Sequence, residues 1–355
     1  MWLGYSFVYW IRLLARNRFA IHLTRLPMFL IVSISSAQHS VLGLLERVLY
    51  SRRIARTQVH PSPIFILGHW RSGTTLLHEL LDCDPRFRCP TTYECCAPLH
   101  FLLTRWWVPR LFAWSLPRKR PMDNMAVGWN KPLEDEFALC LLGQPSLMEH
   151  VAFPNRHGPN DPEFRVENLP LAAQRRWQQV FLRFLRRLTI GNDGKPLVLK
   201  SPPHTFRVPL LLELFPEARF IHIVRDPYAL YASTLNLWRA MYAHHSLQRP
   251  TWRGLEPGIL ATYESMYERF ETDRKQIPPG RLVEIQFEKL VADPERELAS
   301  IYSVLGLGDF NPAQAKVQAY LQSVHGYEQN RYMVTPEEKK LIANRWGRFF
   351  VKHGY

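Results

Sequence analysis

Residues 68–75, GHWRSGTT, have the composition of a loop that binds an anion. The apolar run 64–67 precedes them, and a leucine-rich segment that suits a helix follows. Gly68 and Gly73 allow a tight turn in which successive backbone N–H groups point at anionic oxygens, and the helix N-terminus adds partial positive charge. The loop also offers three hydroxyl donors, on Ser72, Thr74 and Thr75.

The loop departs from the Walker A pattern, G-x-x-x-x-G-K-[ST], at one informative position. Thr74 stands where that pattern has its lysine, and the positive charge comes earlier, on Arg71. Enzymes that hydrolyse nucleoside triphosphates use the lysine and a magnesium ion to neutralise the triphosphate. Because a sulfuryl group carries less charge than a phosphoryl group, its transfer can proceed without a metal. The loop therefore suits a phosphosulfate donor, and we expect no metal site.

A second anion-binding element follows the apolar run 219–224, which is typical of a buried strand. The run ends in Arg225-Asp226-Pro227, and the helix predicted after it carries Ser233. Arg225 can bind an anion through two parallel hydrogen bonds, and Ser233 can donate its hydroxyl. The alternative is that Arg225 pairs locally, as any arginine at a strand end can.

These motifs resemble those of sulfotransferases that use 3′-phosphoadenosine 5′-phosphosulfate (PAPS), in the bacterial branch that is similar to tyrosylprotein and carbohydrate sulfotransferases. The resemblance runs from about residue 63 to the C-terminus. It implies that the 5′-phosphosulfate is bound by Arg71, Ser72, Gly73, Thr74 and Thr75. It also implies that Arg225 and Ser233 bind the 3′-phosphate and that Phe287 lies against adenine. Leu76 stands where cytosolic relatives often have a tryptophan.

The transfer needs a base that takes the proton of the acceptor hydroxyl. The glutamate that serves in tyrosylprotein relatives would align near Thr92, so Glu94 is the predicted base. His100 and His204 are the alternatives, and Glu94 could instead be a structural acid that pairs with an arginine. Lys200, at the end of a predicted strand, is expected to stabilise charge on the transferred or departing oxygens, and Arg71 can share that role.

Two further sets of residues could bind ligands. Glu134, Asp135 and Glu136 suggest a metal, but adjacent helical positions do not share a face, so we expect helix capping, with acceptor contact as the alternative. The other set consists of tryptophans that could stack on sugar rings or cover a lipid chain, although packing is the commoner fate: Trp106, Trp107, Trp114 and Trp129.

Predicted strands alternate with predicted helices through most of the chain, which indicates a parallel sheet with helices on both faces. The fold class is therefore α/β, a P-loop-like three-layer fold with a central parallel sheet. Strands are predicted at 64–67, 196–200, 219–224 and 281–286. Because ligands bind beyond the carboxyl ends of parallel strands, residues 68–75, 200–204 and 225–228 should lie close together. We expect a catalytic domain at 59–355 and a helical N-terminal extension at 1–58.

The chain of 355 residues has a net charge of +14. Half of this excess lies in residues 1–60, where Glu46 is the single acid beside eight arginines: Arg12, Arg16, Arg18, Arg25, Arg47, Arg52, Arg53 and Arg56. No motif typical of nucleic-acid binding occurs. The uncharged run 26–45 is interrupted by serines and falls short of a spanning helix, so we expect at most peripheral membrane contact through 1–58. Five cysteines at unpatterned spacings indicate reduced thiols and a cytoplasmic location, with the inner membrane surface as one possibility.

The sequence thus predicts a sulfotransferase whose partners are PAPS and a hydroxyl-bearing acceptor, with sugar, lipid and peptide acceptors all open. Two other classes compete with it. A P-loop kinase would need ATP and magnesium, and the missing lysine argues against it. An inactive membrane-surface interaction protein would retain the loop without activity, which the intact Arg71, Arg225 and Ser233 disfavour.

Overall fold

A computed structural model describes residues 1–115, 125–324 and 332–355. Its centre is a parallel sheet of four strands in the order β2-β1-β3-β4. The strands are β1 (Ile64–Leu67), β2 (Val198–Lys200), β3 (Arg219–Val224) and β4 (Leu282–Gln286). All four predicted strands are confirmed, and the pairing of β1 with both β2 and β3 places the segments that follow these three strands at one edge.

The two faces of the sheet pack against different helices because successive strand side chains point in opposite directions. Ile64 and Ile66 join the cluster formed with the helices after β1 and β4, whereas Phe65 and Leu67 join the cluster on the other face. Both strand faces are buried, so β1 is apolar at every position. The predicted three-layer architecture is confirmed.

Fifteen α-helices surround the sheet in the described residues. They are α1 (Phe7–Arg16), α2 (Leu26–Arg56), α3 (Thr74–Asp82), α4 (Thr92–Cys96), α5 (Phe101–Thr104), α6 (Val108–Leu111), α7 (Asp135–Leu141), α8 (Leu171–Thr189), α9 (Val208–Leu214), α10 (Pro227–His245), α11 (Leu255–Asp273), α12 (Phe287–Ala292), α13 (Pro294–Leu305), α14 (Asn311–Ser323) and α15 (Pro336–His353). Short 3₁₀ turns link several of them, including Pro202–Phe206 directly after β2.

The N-terminal extension packs on the body of the protein. Trp2 and Trp10 are buried in the cluster that also holds Trp238 of α10 and Trp346 of α15. By length and composition alone, the segment Leu23–Arg56 could cross a membrane, so the helix is longer and more apolar than the interrupted run 26–45 indicated. Most of its outer side chains are exposed.

Buried polar contacts fix the inner face of α2. Glu46 is 1% exposed and pairs with the buried Arg187 of α8. His39 Nδ1 lies 2.8 Å from His100 Nε2, just before α5. Breaking a buried ion pair by removing one partner costs about 3–5 kcal/mol, so these contacts make detachment of α2 unfavourable.

Acid should destabilise this protein well above the pH at which carboxylates titrate. Burial lowers the pKa of His78, His100 and His150 to about 3, and that of His39 and His69 to about 4. Below pH of about 6.5 an unfolded chain protonates these rings, while the folded chain does not, so stability falls as pH drops from there towards 4. We expect a steep fall in Tm across this range in thermal scans; a flat Tm would contradict it.

Candidate active site

The two glycines of the loop are required by close contacts. Gly68 has a φ of +140°, and a Cβ there would lie 2.6 Å from the backbone oxygen of Ile223. Gly73 has a φ of +102°, and its Cβ would lie 2.2 Å from Cδ2 of Phe287. Both contacts are far shorter than side chains tolerate, so the loop can lie against β3 and Phe287 only with glycine at these positions.

Most of the predicted site residues border one cavity of about 420 Å³. It opens at the carboxyl edge of the sheet, as expected for a parallel sheet. Among its lining residues are Arg71, Gly73, Thr74, Thr75, Arg225, Ser233 and Phe287. The structure therefore brings together residues that are up to about two hundred positions apart in the sequence.

The predicted anion-binding groups contact one another directly. Arg71 Nε donates to Ser233 Oγ at 2.9 Å, and Arg225 Nη1 donates to the backbone oxygen of Arg71 at 3.0 Å. The Arg225 guanidinium also lies over the Phe287 ring, 4.6 Å from its centroid. The loop and the element after β3 thus form one wall with two guanidinium groups, which suits a ligand with more than one anionic end.

The side chain of Ser72 turns away from the cavity. It is fully buried, and its Oγ donates to the backbone oxygen of His69 at 2.8 Å. Ser72 therefore holds the turn of the loop in shape.

Lys200 links the loop to a carboxylate. Its Nζ lies 2.7 Å from Glu134 Oε1 and 3.4 Å from Thr75 Oγ1, and its side chain is 3% exposed. Glu134 lines the cavity, and its Oε2 is buried without a hydrogen-bond partner among the described residues. A buried carboxylate oxygen with spare acceptor capacity can take a proton or a hydrogen bond from a ligand.

Glu94, the predicted base, lies elsewhere. Its carboxylate accepts from Arg88 and from the backbone N–H and hydroxyl of Thr91, in a capping box that begins α4. It is 3% exposed and is not among the residues that line the cavity. These contacts match the structural alternative for Glu94, because both of its oxygens are occupied by partners that stabilise a helix start.

The two histidine alternatives are also away from the cavity lining. His204 is fully buried, and its Nε2 lies 2.7 Å from Asp135 Oδ2. Burial by itself raises the pKa of Asp135, but the His204 ring and the Ser201 hydroxyl outweigh it and leave that pKa below its ordinary value. His100 pairs with His39 and Thr104.

We expected the acids at 134–136 to cap helix α7, but Glu134 at its N-cap makes no capping hydrogen bond through its side chain. Each has a different basic partner: Glu134 binds Lys200, Asp135 binds His204, and Glu136 forms a bidentate pair with Arg207. The three basic partners are close together in the sequence, because Lys200 ends β2 and His204 and Arg207 follow it within seven residues.

Two cavity features were missed from the sequence. One is Glu79 of α3, a second carboxylate in the lining, whose Oε2 accepts from Tyr320 at 2.5 Å. The other is an apolar wall at the end of the cavity away from Arg225, defined here as Leu133, Phe137, Met148, Leu237, Trp238 and Met241. Four of these six lie in α7 and α10: Phe137, Leu237, Trp238 and Met241.

The expectation of packing for the four tryptophans is met only at Trp129. Its ring meets Tyr93 edge-on, and its Nε1 donates to the backbone oxygen of Phe112. Trp106, Trp107 and Trp114 are 62%, 48% and 82% exposed.

Comparison with known proteins agrees with this geometry. A sequence model of the sulfotransferase family matches residues 63–312. Omega-hydroxy-beta-dihydromenaquinone-9 sulfotransferase Stf3 of Mycobacterium bovis is 41% identical over 355 residues, which is 100% of this chain and 91% of that protein. The protein of the same name from Mycobacterium tuberculosis matches to the same extent.

Solved structures share the fold. Sulfotransferase STF9 from Mycobacterium avium superposes with a TM-score of 0.67 at 19% identity, covering 90% of this chain and 84% of that one. Sulfotransferase STF1 from Mycobacterium tuberculosis gives a TM-score of 0.65 at 18% identity, covering 96% and 90%. Together with the family match and the relatives at 41% identity, these findings establish that the chain belongs to the sulfotransferase family, an enzyme family whose general reaction is transfer of a sulfuryl group from PAPS.

Proposed function

We propose that this sulfotransferase sulfates a hydroxyl at the end of a long apolar lipid. The observation that carries the proposal is that residues of the anion-binding loop, Glu134 and the apolar wall line the same cavity. The two relatives at 41% identity are described as acting on omega-hydroxy-beta-dihydromenaquinone-9, a lipid with a terminal hydroxyl. An apolar wall favours such an acceptor over a sugar, which needs more polar partners.

The donor is proposed to be PAPS, with its two anionic ends and its adenine each bound by a different group of residues. The backbone of residues 72–75 and the Thr74 and Thr75 hydroxyls face the 5′-phosphosulfate, while Arg225 and Ser233 bind the 3′-phosphate. Arg71 lies between the two groups through its bond to Ser233. Phe287, already fixed by Gly73 and Arg225, offers a flat apolar surface for adenine.

Glu134 replaces Glu94 as the proposed base. Lys200 fixes its Oε1, which leaves Oε2 to accept the proton of the acceptor hydroxyl. As the acceptor oxygen attacks sulfur in line, the bond from sulfur to the 5′-phosphate oxygen breaks, and 3′-phosphoadenosine 5′-phosphate is released. Glu79 is a weaker candidate because Tyr320 already donates to its Oε2.

Lys200 and Arg71 are proposed to stabilise the charge that moves during transfer. Lys200 Nζ is hydrogen-bonded to Thr75 of the loop and to Glu134. It can therefore strengthen one of these bonds at the expense of the other during transfer while its side chain stays in place. Arg71 and Arg225 line the cavity, and Lys200 lies behind the lining residues Thr75 and Glu134, so the proposed reaction needs no metal. A group of potential metal ligands in the described residues, His157, Asp161 and Glu163, shares no member with the cavity lining.

The division at residue 58 and the location of the protein are part of the proposal. Residues 59–355 would form the catalytic domain, and residues 1–58 an extension that touches the inner surface of a membrane from the cytoplasm. The exposed apolar side chains of α2 support membrane contact.

A transfer assay with radiolabelled PAPS tests the acceptor class. The protein is offered a vesicle-embedded prenyl alcohol, an oligosaccharide and a tyrosine-containing peptide in parallel. We expect label in the prenyl alcohol and none above background in the other two. Label in the sugar or the peptide alone would overturn the lipid proposal.

A further inference from the structure

We infer that the outer face of helix α2 docks on an anionic lipid bilayer and that the acceptor enters the cavity from that bilayer. This inference rests on the proposed lipid acceptor. Helix α2 carries an unbroken exposed apolar stripe, and the residues that define the stripe are Leu26, Leu30, Ile34, Val41 and Val48. Their spacings of four and seven place them on one side of the helix.

The stripe is unusually open for a soluble surface. Leu30, Ile34 and Val48 are 55%, 62% and 72% exposed, and other apolar side chains of α2 flank them. The 31 residues of α2 extend for about 46 Å, so the stripe is a large contiguous apolar patch rather than scattered single residues. A patch of this kind indicates a surface that binds a protein partner or a membrane when the protein functions.

Charge selects a bilayer rather than a second copy of the chain as the occupant. Glu46 is the single acid in residues 1–58, and it is buried against Arg187. The exposed charges around the stripe are therefore arginines, such as Arg18 before α2 and Arg52 and Arg56 at its end. Anionic headgroups attract this pattern, whereas a twofold contact between two copies would bring arginines against arginines.

The contacts of the opposite face show how α2 lies. A lone helix that crossed the bilayer would be surrounded by lipid, where ionised side chains are costly. Instead, its inner face packs on α1, α5 and α8 and carries the Glu46–Arg187 pair and the His39–His100 contact. Helix α2 therefore lies in the plane of the membrane surface, with arginines near both ends at the headgroups.

Exposed indoles lie in the segment after a helix that contacts α2. Trp106 and Trp107 directly follow α5, which packs on α2 through the His100–His39 contact. Tryptophan is enriched where a protein meets the headgroup region, because its ring is apolar and its N–H is polar.

Helix α10 connects the cavity to the docking surface. Ser233, Leu237 and Met241 line the cavity at successive spacings of four, so one face of α10 runs about 12 Å from the donor side along the apolar wall. Beyond Met241, the backbone oxygens of Ala243 and His245 accept from Arg25 and Trp2. The apolar end of the cavity therefore points towards the N-terminal helices, where an acceptor tail would still be in the bilayer.

The test compares L30E/I34E with the matched double variant V304E/V351E, which places the same charges on exposed apolar positions of α13 and α15. Binding is measured by co-sedimentation with phosphatidylcholine vesicles, with and without phosphatidylglycerol. We expect the wild type and the control to bind the anionic vesicles and L30E/I34E to bind at least about tenfold more weakly, at unchanged Tm. Equal binding by L30E/I34E, or no binding by the wild type, would overturn the inference.

Measuring kcat/KM on two acceptors distinguishes a failure of membrane docking from a failure of the proposed acceptor class. L30E/I34E should lose about tenfold in kcat/KM on a vesicle-embedded prenyl alcohol and stay within about twofold on a short, water-soluble one. An equal loss on both acceptors, or a wild-type dimer that L30E/I34E dissociates, would contradict docking. If the wild type binds vesicles through α2 but sulfates no prenyl alcohol, the acceptor class is wrong and the docking surface stands.

Discussion

Replacing Glu134 with glutamine should lower kcat by about two to four orders of magnitude, the usual contribution of a positioned general base. Glutamine keeps the shape and the acceptor oxygen that Lys200 binds, but its amide cannot take a proton. Donor binding should therefore be retained, because Lys200 and the loop keep their places. The measurements are steady-state kinetics with saturating donor and calorimetry with 3′-phosphoadenosine 5′-phosphate.

Glu94→Gln is the matched comparison for this experiment. Glu94 pairs with Arg88 and caps α4, so its loss should lower Tm by several degrees and leave kcat of the folded fraction within about fivefold. An active Glu134→Gln enzyme together with a folded but inactive Glu94→Gln enzyme would return the role of base to Glu94.

Replacing Arg225 with alanine should raise the KM for the donor by about 10–100-fold, since hydrogen bonds to charged groups contribute about 1.5–3 kcal/mol. Arg225 also donates to the backbone oxygen of Arg71 and covers the Phe287 ring, so its loss loosens the surface expected to meet adenine. The KM for the acceptor should change little, because the apolar wall does not include Arg225. Initial rates at varied donor concentration measure both constants.

Two further variants show whether the effect belongs to this guanidinium. Arg225→Lys keeps the charge but loses the two-pronged geometry, and an intermediate KM is expected. Arg219 lies at the opposite end of β3, so Arg219→Ala should leave the donor KM unchanged. A donor KM that Arg225→Ala does not alter would remove Arg225 from the 3′-phosphate site.

The sheet could be predicted from the sequence because its strands are short, apolar and bounded by glycine, proline or charge. Runs such as 64–67 and 219–224 are too short and too apolar to be amphipathic helices. Because parallel strands end at the same edge of a sheet, the position of the loops that follow them could also be predicted. Helix α11 was missed, although Ile259, Tyr263, Met266 and Phe270 show helical spacing. Pro257 and Gly258 lie near its start, and both residue types disfavour a helix interior.

The proximity of the residues proposed to bind the donor was predictable for the same reason, since the segments that carry them follow strands of one parallel sheet. The proposed base, Glu134, was not predicted, because alignment with relatives pointed to Glu94, in the segment that begins α4. Glu134 was recognised only as one of three adjacent acids. Its pairing with Lys200 spans 66 positions, and no local pattern in the sequence encodes such a contact.

Calorimetric titration with 3′-phosphoadenosine 5′-phosphate and with ADP, in the presence of a metal chelator, tests the central claim most directly. The two ligands share adenine, but only the first has the 3′-phosphate that Arg225 and Ser233 are proposed to bind. We predict binding of 3′-phosphoadenosine 5′-phosphate without metal and at least about tenfold weaker binding of ADP. Equal binding of the two ligands, or binding of the first only when magnesium is restored, would contradict a metal-free site for a PAPS donor.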